Sequence, residues 1–274
     1  MKITPPPILY KYLPVEDWLP QLMNGESMLF SSRTSFNDPY DSRSAYQVDQ
    51  SKVGRKWLLE RFKAEQPHWT PAERMQKVNQ ALQRLKSPSV DSDEATLDNV
   101  GILCLAERWD NMLLWSHYAK QHAGICIGFR TDIDFFRIAF KVEYVPEFPV
   151  IQRPQDDQET IFQKALLTKA ECWQYESEWR IVKRPMSDSE RMSIAQQNGY
   201  LDQEGVRILS DHHGAGIYAF DKSAIESVTL GSRITEDHAR VVIRAIEAAA
   251  LHIPIYVVEP PNRQYQLVRH EFQG

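Results

Sequence analysis

Cysteine is scarce in this sequence, with Cys104, Cys126 and Cys172 the only three among 274 residues. An odd number of widely spaced cysteines provides neither a disulfide framework nor the paired spacing of a zinc site. Long hydrophobic runs are missing too, because no apolar stretch approaches the roughly 20 residues that span a membrane. The first ten residues contain no apolar signal core. We therefore expect a soluble, cytoplasmic protein without a membrane partner.

Positive charge is not in excess, since 32 Lys and Arg stand against 37 Asp and Glu, a net charge of −5. Bulk electrostatic attraction to nucleic acid is therefore disfavoured, although a local basic patch at 180–184 keeps nucleic acid among the candidate partners. The P-loop, Rossmann, zincin and nucleophile-elbow signatures are all absent. These absences argue against kinases, dinucleotide-dependent dehydrogenases, zincins and α/β-hydrolases.

The composition is that of a globular chain, 42% hydrophobic and 25% charged, and 274 residues are enough to bury a full core. Short apolar runs predict strands at 8–12, 28–32, 100–105, 125–129 and 226–230. Helical spacing predicts helices at 110–122 and 236–250. Because the helices are unevenly spaced between the strands, we expect an α+β fold with a mixed or antiparallel sheet rather than a regular βαβ winding.

Residues 50–98 differ in character, because their apolar residues recur at helical spacing. Thr70, Pro71 and Glu73 form the sequence signature of a helix start with a capping box. We predict that 50–98 is a helical insertion or lid within a single α+β domain covering 1–274.

Residues 30–41 concentrate hydroxyl groups, one arginine and two aspartates behind a predicted strand. Asn37 and Asp38 can fold this loop on itself through hydrogen bonds from side chain to backbone. Arg33 can instead face a phosphate or carboxylate as a planar fork. A self-stabilised turn and a ligand-binding loop both fit these residues.

The segment 109–124 is rich in aromatic residues. Trp115, Tyr118 and His122 lie near one face of the predicted helix. Such a stripe is typical of a core helix, and it would also serve as a wall on which a flat ring stacks.

The segment 173–180 pairs carboxylates with aromatics. On a strand, Glu176, Glu178 and Arg180 would share one face. Two carboxylates repel each other unless a cation or a sugar hydroxyl lies between them or one pKa is raised. Arg180 can neutralise them in a charged surface, but the flanking tryptophans favour a functional site.

Taken together, these segments resemble a widespread bacterial domain family of unknown function. The resemblance is carried by the runs LYKY (9–12), FSS with FNDPYD (30–41), WSHYA through GICIGF (115–129), WQYESEWR (173–180) and VTLG (228–231).

A second resemblance, to ADP-ribosyltransferases of the DarT-like type, rests on the order of elements and on Glu176-Ser177-Glu178, which matches a Glu-x-Glu pattern. It implies a split sheet and NAD as the substrate. By this match Glu178 stabilises the cationic ribose, and Glu176 orients or deprotonates the acceptor. The early strand departs from the pattern, because Lys11 stands where a His or Arg is expected. The residues that would contact NAD are Lys11, Tyr12, Ser31, Ser32, Arg33, Asn37, Asp38, Tyr40, Trp115 and Tyr118.

The resemblance implies an NAD-dependent ADP-ribosyltransferase that needs no metal. It would act as a toxin or phage-defence effector on nucleic acid or protein, with an antitoxin protein as a candidate partner. One alternative is a metal-dependent nuclease or phosphodiesterase, in which Mg²⁺ is held by Asp38, Asp41, His117, Glu176 and Glu178. The other is a non-catalytic module that binds a ligand or partner, where the two glutamates and Arg180 form a structural network.

Overall fold

A computed structural model of the chain describes residues 4–89, 97–185, 213–259 and 263–272. Its class is α+β with a large mixed sheet, as predicted. The helices are α1 (Leu19–Met23), α2 (Lys52–Glu65), α3 (Pro71–Arg84), α4 (Met112–Tyr118), α5 (Gln158–Leu166) and α6 (Glu236–Ala248). Within the described ranges, no helix combines the length and the apolar character that crossing a membrane requires.

The strands are short, and most lie close to the predicted positions. They are β1 (Ile8–Leu13), β2 (Met28–Phe30), β3 (Ala45–Val48), β4 (Gly101–Ala106), β5 (Ile125–Arg130), β6 (Phe140–Lys141), β7 (Glu143–Val145), β8 (Val150–Arg153), β9 (Thr168–Ala170), β10 (Glu178–Lys183), β11 (Gly216–Tyr218), β12 (Ile225–Leu230), β13 (Ile255–Glu259) and β14 (Val268–Glu271).

The chain divides into two compact units. The first comprises Met1–Phe36, Asp98–Val142 and Gln174–Gly274, and the second comprises Asn37–Leu97 and Glu143–Trp173. The predicted helical insertion, as far as it is described, lies in the second unit together with 143–173. Its action as a lid stays a prediction.

The first unit is built on an eight-stranded sheet in the order β14-β13-β12-β5-β1-β4-β10-β6. Neighbouring strands are antiparallel except β12 and β13, which run parallel. Strand β1 pairs with β5 along its whole length, from Ile8 with Arg130 to Leu13 with Ile125. It meets β4 at the pair Tyr10 and Ala106. The sheet is therefore joined more tightly on one side of β1 than on the other.

One face of this sheet carries the main apolar core. Leu9, Leu103, Ile127 and Ile181 from four adjacent strands are each at most 1% exposed. Helix α6 covers part of this core with Val242, Ala245 and Ile246, and Thr235 caps its first turn. Burying such aliphatic side chains is the main stabilising term of the fold, at about 1.5–3 kcal/mol each.

The second unit contains the helical pair α2 and α3. Leu58 of α2 and Val78 of α3 belong to one small apolar cluster, together with Val48 and Leu82. The predicted capping box at the start of α3 is confirmed, because Thr70 and Glu73 each accept a hydrogen bond from the other's backbone. Two parallel strand pairs, β3 with β8 and β7 with β9, complete the unit.

Candidate functional site

The sheet of the first unit has a second face with different chemistry. Paired residues on neighbouring antiparallel strands point to the same face, and alternate residues along a strand point to opposite faces. Tyr10 pairs with Ala106, and Ala106 pairs with Glu178. Glu178 and Tyr10 therefore share one face, two strands apart, or roughly 10 Å at the usual strand spacing. We call this side the polar face and define it by Tyr10, Tyr12, Glu178, Arg180, Thr229 and Arg269.

The polar face contains a buried ion pair on β10, the strand next to the edge strand β6. Glu178 is 3% exposed and Arg180 is fully buried. The Nε of Arg180 donates to Oε1 of Glu178 at 2.8 Å, and its Nη2 donates to Oε2 at 3.2 Å. The guanidinium carbon lies 5.9 Å from the ring centroid of Phe36. Two parallel hydrogen bonds fix the plane and direction of the carboxylate.

The expectation that Glu176 shares a strand with Glu178 is wrong. Glu176 ends a 3₁₀ turn, and β10 begins only at Glu178. The reason is Ser177, whose φ of 45° lies in the left-handed region and interrupts the extended backbone. Glu176 is 5% exposed, and its Oε1 accepts a hydrogen bond from the hydroxyl of Tyr118 at 2.8 Å.

The helix predicted at 110–122 is shorter in the structure. It begins after Asn111, whose side chain accepts from the backbone of Leu113 and Leu114 and thereby caps the helix. Residues 120–122 all have positive φ, between 47° and 69°, and leave the right-handed helix. Helix α4 thus presents its last residue, Tyr118, to Glu176.

Tyr12 and Trp115 belong to a buried apolar cluster that packs on the polar face and includes Ala106 and Cys126. Trp115 is fully buried, and its indole N–H donates to the carbonyl of Trp109 at 2.7 Å. Tyr12 contacts it edge-on at 5.3 Å between ring centroids, and its hydroxyl donates to the carbonyl of Arg108 at 2.6 Å. Both residues support the site, and neither offers a free ring face to a ligand.

Arg269 is a residue of the polar face that the sequence did not reveal. It pairs with Val258, which belongs to the same apolar cluster as Tyr12. Its guanidinium lies 4.4 Å from the ring centroid of Trp109 and 4.1 Å from that of Tyr256. Stacking between two rings fixes the guanidinium plane. No motif marks this arginine, because it reaches the site only through the pairing of β13 with β14.

Arg269 also contacts the polar residues around it. It donates to Oγ1 of Thr229 at 2.7 Å. Burial raises the pKa of Tyr10, and the charge and hydrogen bond of Arg269 oppose that shift. The guanidinium therefore lies against hydroxyl groups, in a position suited to an anionic group of a ligand.

The other predicted residues of the first unit form hydrogen bonds or ion pairs with residues of the same unit. Lys11 donates from Nζ to the carbonyl of Cys104 at 3.0 Å. The backbone of Ser31 exchanges hydrogen bonds with Ile102. Ser32 donates to the carbonyl of Asp98 at 2.6 Å, and Arg33, which is 9% exposed, forms an ion pair of 2.8 Å with the Asp98 carboxylate. The ion pair of Arg33 with Asp98 thus joins two segments of the first unit, Met1–Phe36 and Asp98–Val142.

Three predicted residues, Asn37, Asp38 and Tyr40, lie in the second unit. Asp38 accepts a hydrogen bond from the backbone of Tyr40 at 2.9 Å, so the loop bonds to itself as in the first of its two interpretations, the self-stabilised turn. Tyr40 is 66% exposed.

The residues expected to surround Mg²⁺ in the nuclease alternative are divided between the units, with Asp38 and Asp41 in the second and Glu176 and Glu178 in the first. Over the part of the chain that the structure describes, no group of three or more His, Cys, Asp or Glu is placed to hold a metal ion.

Comparison with known proteins gives one match. Residues 114–181 match the family model described as a protein of unknown function (DUF2971). The matched stretch includes Tyr118, Glu176 and Glu178, and it supports the expected resemblance to a domain family of unknown function. Neither the curated proteins nor the solved structures contain a match to this chain.

Proposed function

We propose that the chain is an NAD-dependent ADP-ribosyltransferase-like enzyme whose reaction centre is the polar face of the first unit. The observation that carries this proposal is the buried ion pair between Glu178 and Arg180. Removing two charges from water costs several kcal/mol per ion, and apolar residues of similar size usually stabilise a fold at least as well. Charged pairs held at this cost are frequent at functional sites.

The chemistry suits a carboxylate in a fixed orientation. When the bond between the ribose and nicotinamide breaks, its electron pair leaves with nicotinamide and the sugar becomes cationic. Glu178, oriented by Arg180, would stabilise that positive charge. A nucleophile on the acceptor then attacks the same carbon and loses its proton to Glu176, which Tyr118 holds in place.

The substrate also carries a diphosphate, which needs a cation. Arg269 is suited to this task, because its guanidinium is fixed between two rings and bonds to Tyr10, which lies on the face of Glu178 two strands away. In this proposal it replaces Arg33, which is held by Asp98. We propose nucleic acid or protein as the acceptor, in a toxin or phage-defence effector with an antitoxin partner, and no metal in the reaction. Contacts of Asn37, Asp38 and Tyr40 with NAD are not needed for this proposal.

The test is NAD titration by calorimetry in EDTA, together with nicotinamide release, for the wild-type chain and for Glu178→Gln. Glutamine has the same shape and can still accept from Arg180, so we expect a folded variant that binds NAD but releases nicotinamide at least 100-fold more slowly. The matched control is Glu236→Gln, since Glu236 also pairs with an arginine but is 89% exposed. A flat titration of folded wild-type chain, or undiminished release by Glu178→Gln, contradicts the proposal.

A second candidate is a module that binds a ligand without turnover. It is favoured by one observation, that both glutamates have partners within the first unit: Arg180 for Glu178 and Tyr118 for Glu176. This candidate predicts saturable binding with no nicotinamide release by the wild-type chain, and equal binding by Glu178→Gln.

A further inference from the structure

The second unit contains a cavity that the proposed reaction does not use. Its volume is about 420 Å³, and its lining comes from the loop around Asp38, from 145–149 and from 168–173. All of these residues belong to the second unit. The cavity is large enough for a drug-sized or nucleoside-sized molecule.

Two exposed aromatic side chains stand side by side at this cavity. Tyr40 is 66% exposed and Phe148 is 42% exposed, and their ring centroids are 6.4 Å apart with the planes tilted by 45°. Large aromatic surfaces left next to each other in water are a feature of binding sites. Trp173 also lines the cavity. The walls therefore favour a flat ring as the ligand.

The polar groups of the cavity include a nearly buried carboxylate. Asp38 is 9% exposed, and its Oδ1 accepts from the backbone of Tyr40. A carboxylate has several acceptor positions, so Asp38 can accept N–H or O–H donors of a ligand besides the Tyr40 backbone.

Donors line the same cavity. Lys169 is 7% exposed, with its Nζ 3.4 Å from Asp41 and 5.0 Å above the ring of Trp173. Arg43 is a second lining cation. A ligand that fits must therefore present a flat face for stacking and both donors and acceptors at its edge.

We propose that this cavity binds a nucleobase, presented by a nucleoside or a nucleotide. A nucleobase stacks on Tyr40 and Phe148, gives ring or amino N–H groups to Asp38, and accepts hydrogen bonds from Lys169 or Arg43. The inference goes beyond the proposed function, because it concerns the second unit and holds whether or not the first unit consumes NAD.

The experiment is a calorimetric titration of the full-length chain with adenosine, guanosine, cytidine and uridine, each with its 5′-monophosphate, and with tyrosine as a non-nucleoside ring. Trp173 lines the cavity, so its fluorescence gives a second readout of binding. We expect saturable binding of at least one nucleoside. Tyr40→Ala should weaken it roughly tenfold or more, the usual effect of removing a stacking ring.

Two further variants make the test specific. Asp38→Asn keeps the oxygen that accepts from the Tyr40 backbone but replaces the other acceptor with a donor, so it should change the preference among the four bases. Tyr265→Ala, at a residue that is 97% exposed in the first unit, should change nothing. Tighter binding of the monophosphates than of the nucleosides would add the phosphate to the proposed ligand.

The proposal is overturned if no nucleoside gives saturable heat with folded chain at millimolar concentration, if tyrosine binds in place of nucleosides, or if Tyr40→Ala binds as tightly as the wild type. Its failure is separable from that of the proposed function, which is judged by nicotinamide release in Glu178→Gln.

Discussion

Along β10, both faces of the first unit's sheet are buried but differ in chemistry. On β10, Ile181 and Trp179 face the apolar core, and Glu178 and Arg180 lie on the other side of the same strand. Ile181 and Arg180 are both fully buried. Burial therefore does not decide which residue type a position of this sheet carries.

The two faces therefore contribute differently: one stabilises the fold by burying apolar side chains, and the other holds a buried ion pair. The apolar face gains free energy from the aliphatic and aromatic side chains it buries. It also holds a buried cation, Lys183, which is 1% exposed and whose Nζ lies 4.1 Å from the ring centroid of Tyr218. The polar face holds an ion pair whose desolvation offsets much of its attraction. We infer that the first face sets stability and that the second keeps charged groups for their chemistry. The predictions that follow are ordered from the largest expected effect to the smallest.

Arg180→Met should reduce the free energy of unfolding by about 3–5 kcal/mol, because it leaves the Glu178 carboxylate buried without its ion-pair partner. On the opposite face, Ile181→Val should reduce it by only about 0.5–1.5 kcal/mol. Urea unfolding of both variants measures the two values. Equal losses would mean that the faces do not differ in the way we describe.

Tyr118→Phe should cost about 1.5–3 kcal/mol, since it removes a hydrogen bond to the buried Glu176 carboxylate. The same substitution at the exposed Tyr265 is the control and should leave stability unchanged. If Glu176 positions the acceptor, Tyr118→Phe also slows transfer to the acceptor more than it slows nicotinamide release. An unchanged ratio of the two rates would assign Glu176 a structural role.

Arg269→Lys keeps the charge but loses the planar group that stacks between Trp109 and Tyr256. We expect NAD to bind roughly tenfold more weakly, about 1.4 kcal/mol. The control is Arg240→Lys, whose side chain is 60% exposed on α6. Calorimetry that finds wild-type affinity in Arg269→Lys would remove Arg269 from the site.

The smallest expected effect concerns pH and His122. Burial, followed by the charge of Arg233, lowers the pKa of His122 in the folded chain. The unfolded chain therefore binds its proton more readily, so this contribution to stability is complete above the ordinary histidine pKa of about 6.5 and declines as the pH falls toward the folded pKa. His122→Gln should lose less stability than the wild type between pH 7 and pH 5. Parallel curves of unfolding free energy against pH would contradict this.

Local signals in the sequence predicted local structure well. The start of α3 was encoded by Thr70, Pro71 and Glu73 within four residues, and the apolar periodicity of α6 predicted 236–250 against the observed Glu236–Ala248. Such features depend on neighbours along the chain, which a sequence displays directly.

The site was harder to predict, because it depends on contacts that the sequence does not display. The left-handed backbone of Ser177 takes Glu176 off the strand, although no glycine marks the position. Arg269 joins the polar face only because β14 pairs with β13. The charged positions Glu178 and Arg180 were found from alternation, but the depth of their burial follows from the sheet as a whole.

The most direct test replaces both members of the buried pair at once, in Glu178→Leu/Arg180→Met, and measures unfolding by urea and nicotinamide release on the same preparation. Apolar residues of similar volume should leave the free energy of unfolding within about 1 kcal/mol of the wild type or raise it, while nicotinamide release is lost. A folded double variant that releases nicotinamide at the wild-type rate would contradict the claim that the polar face keeps its charges for chemistry.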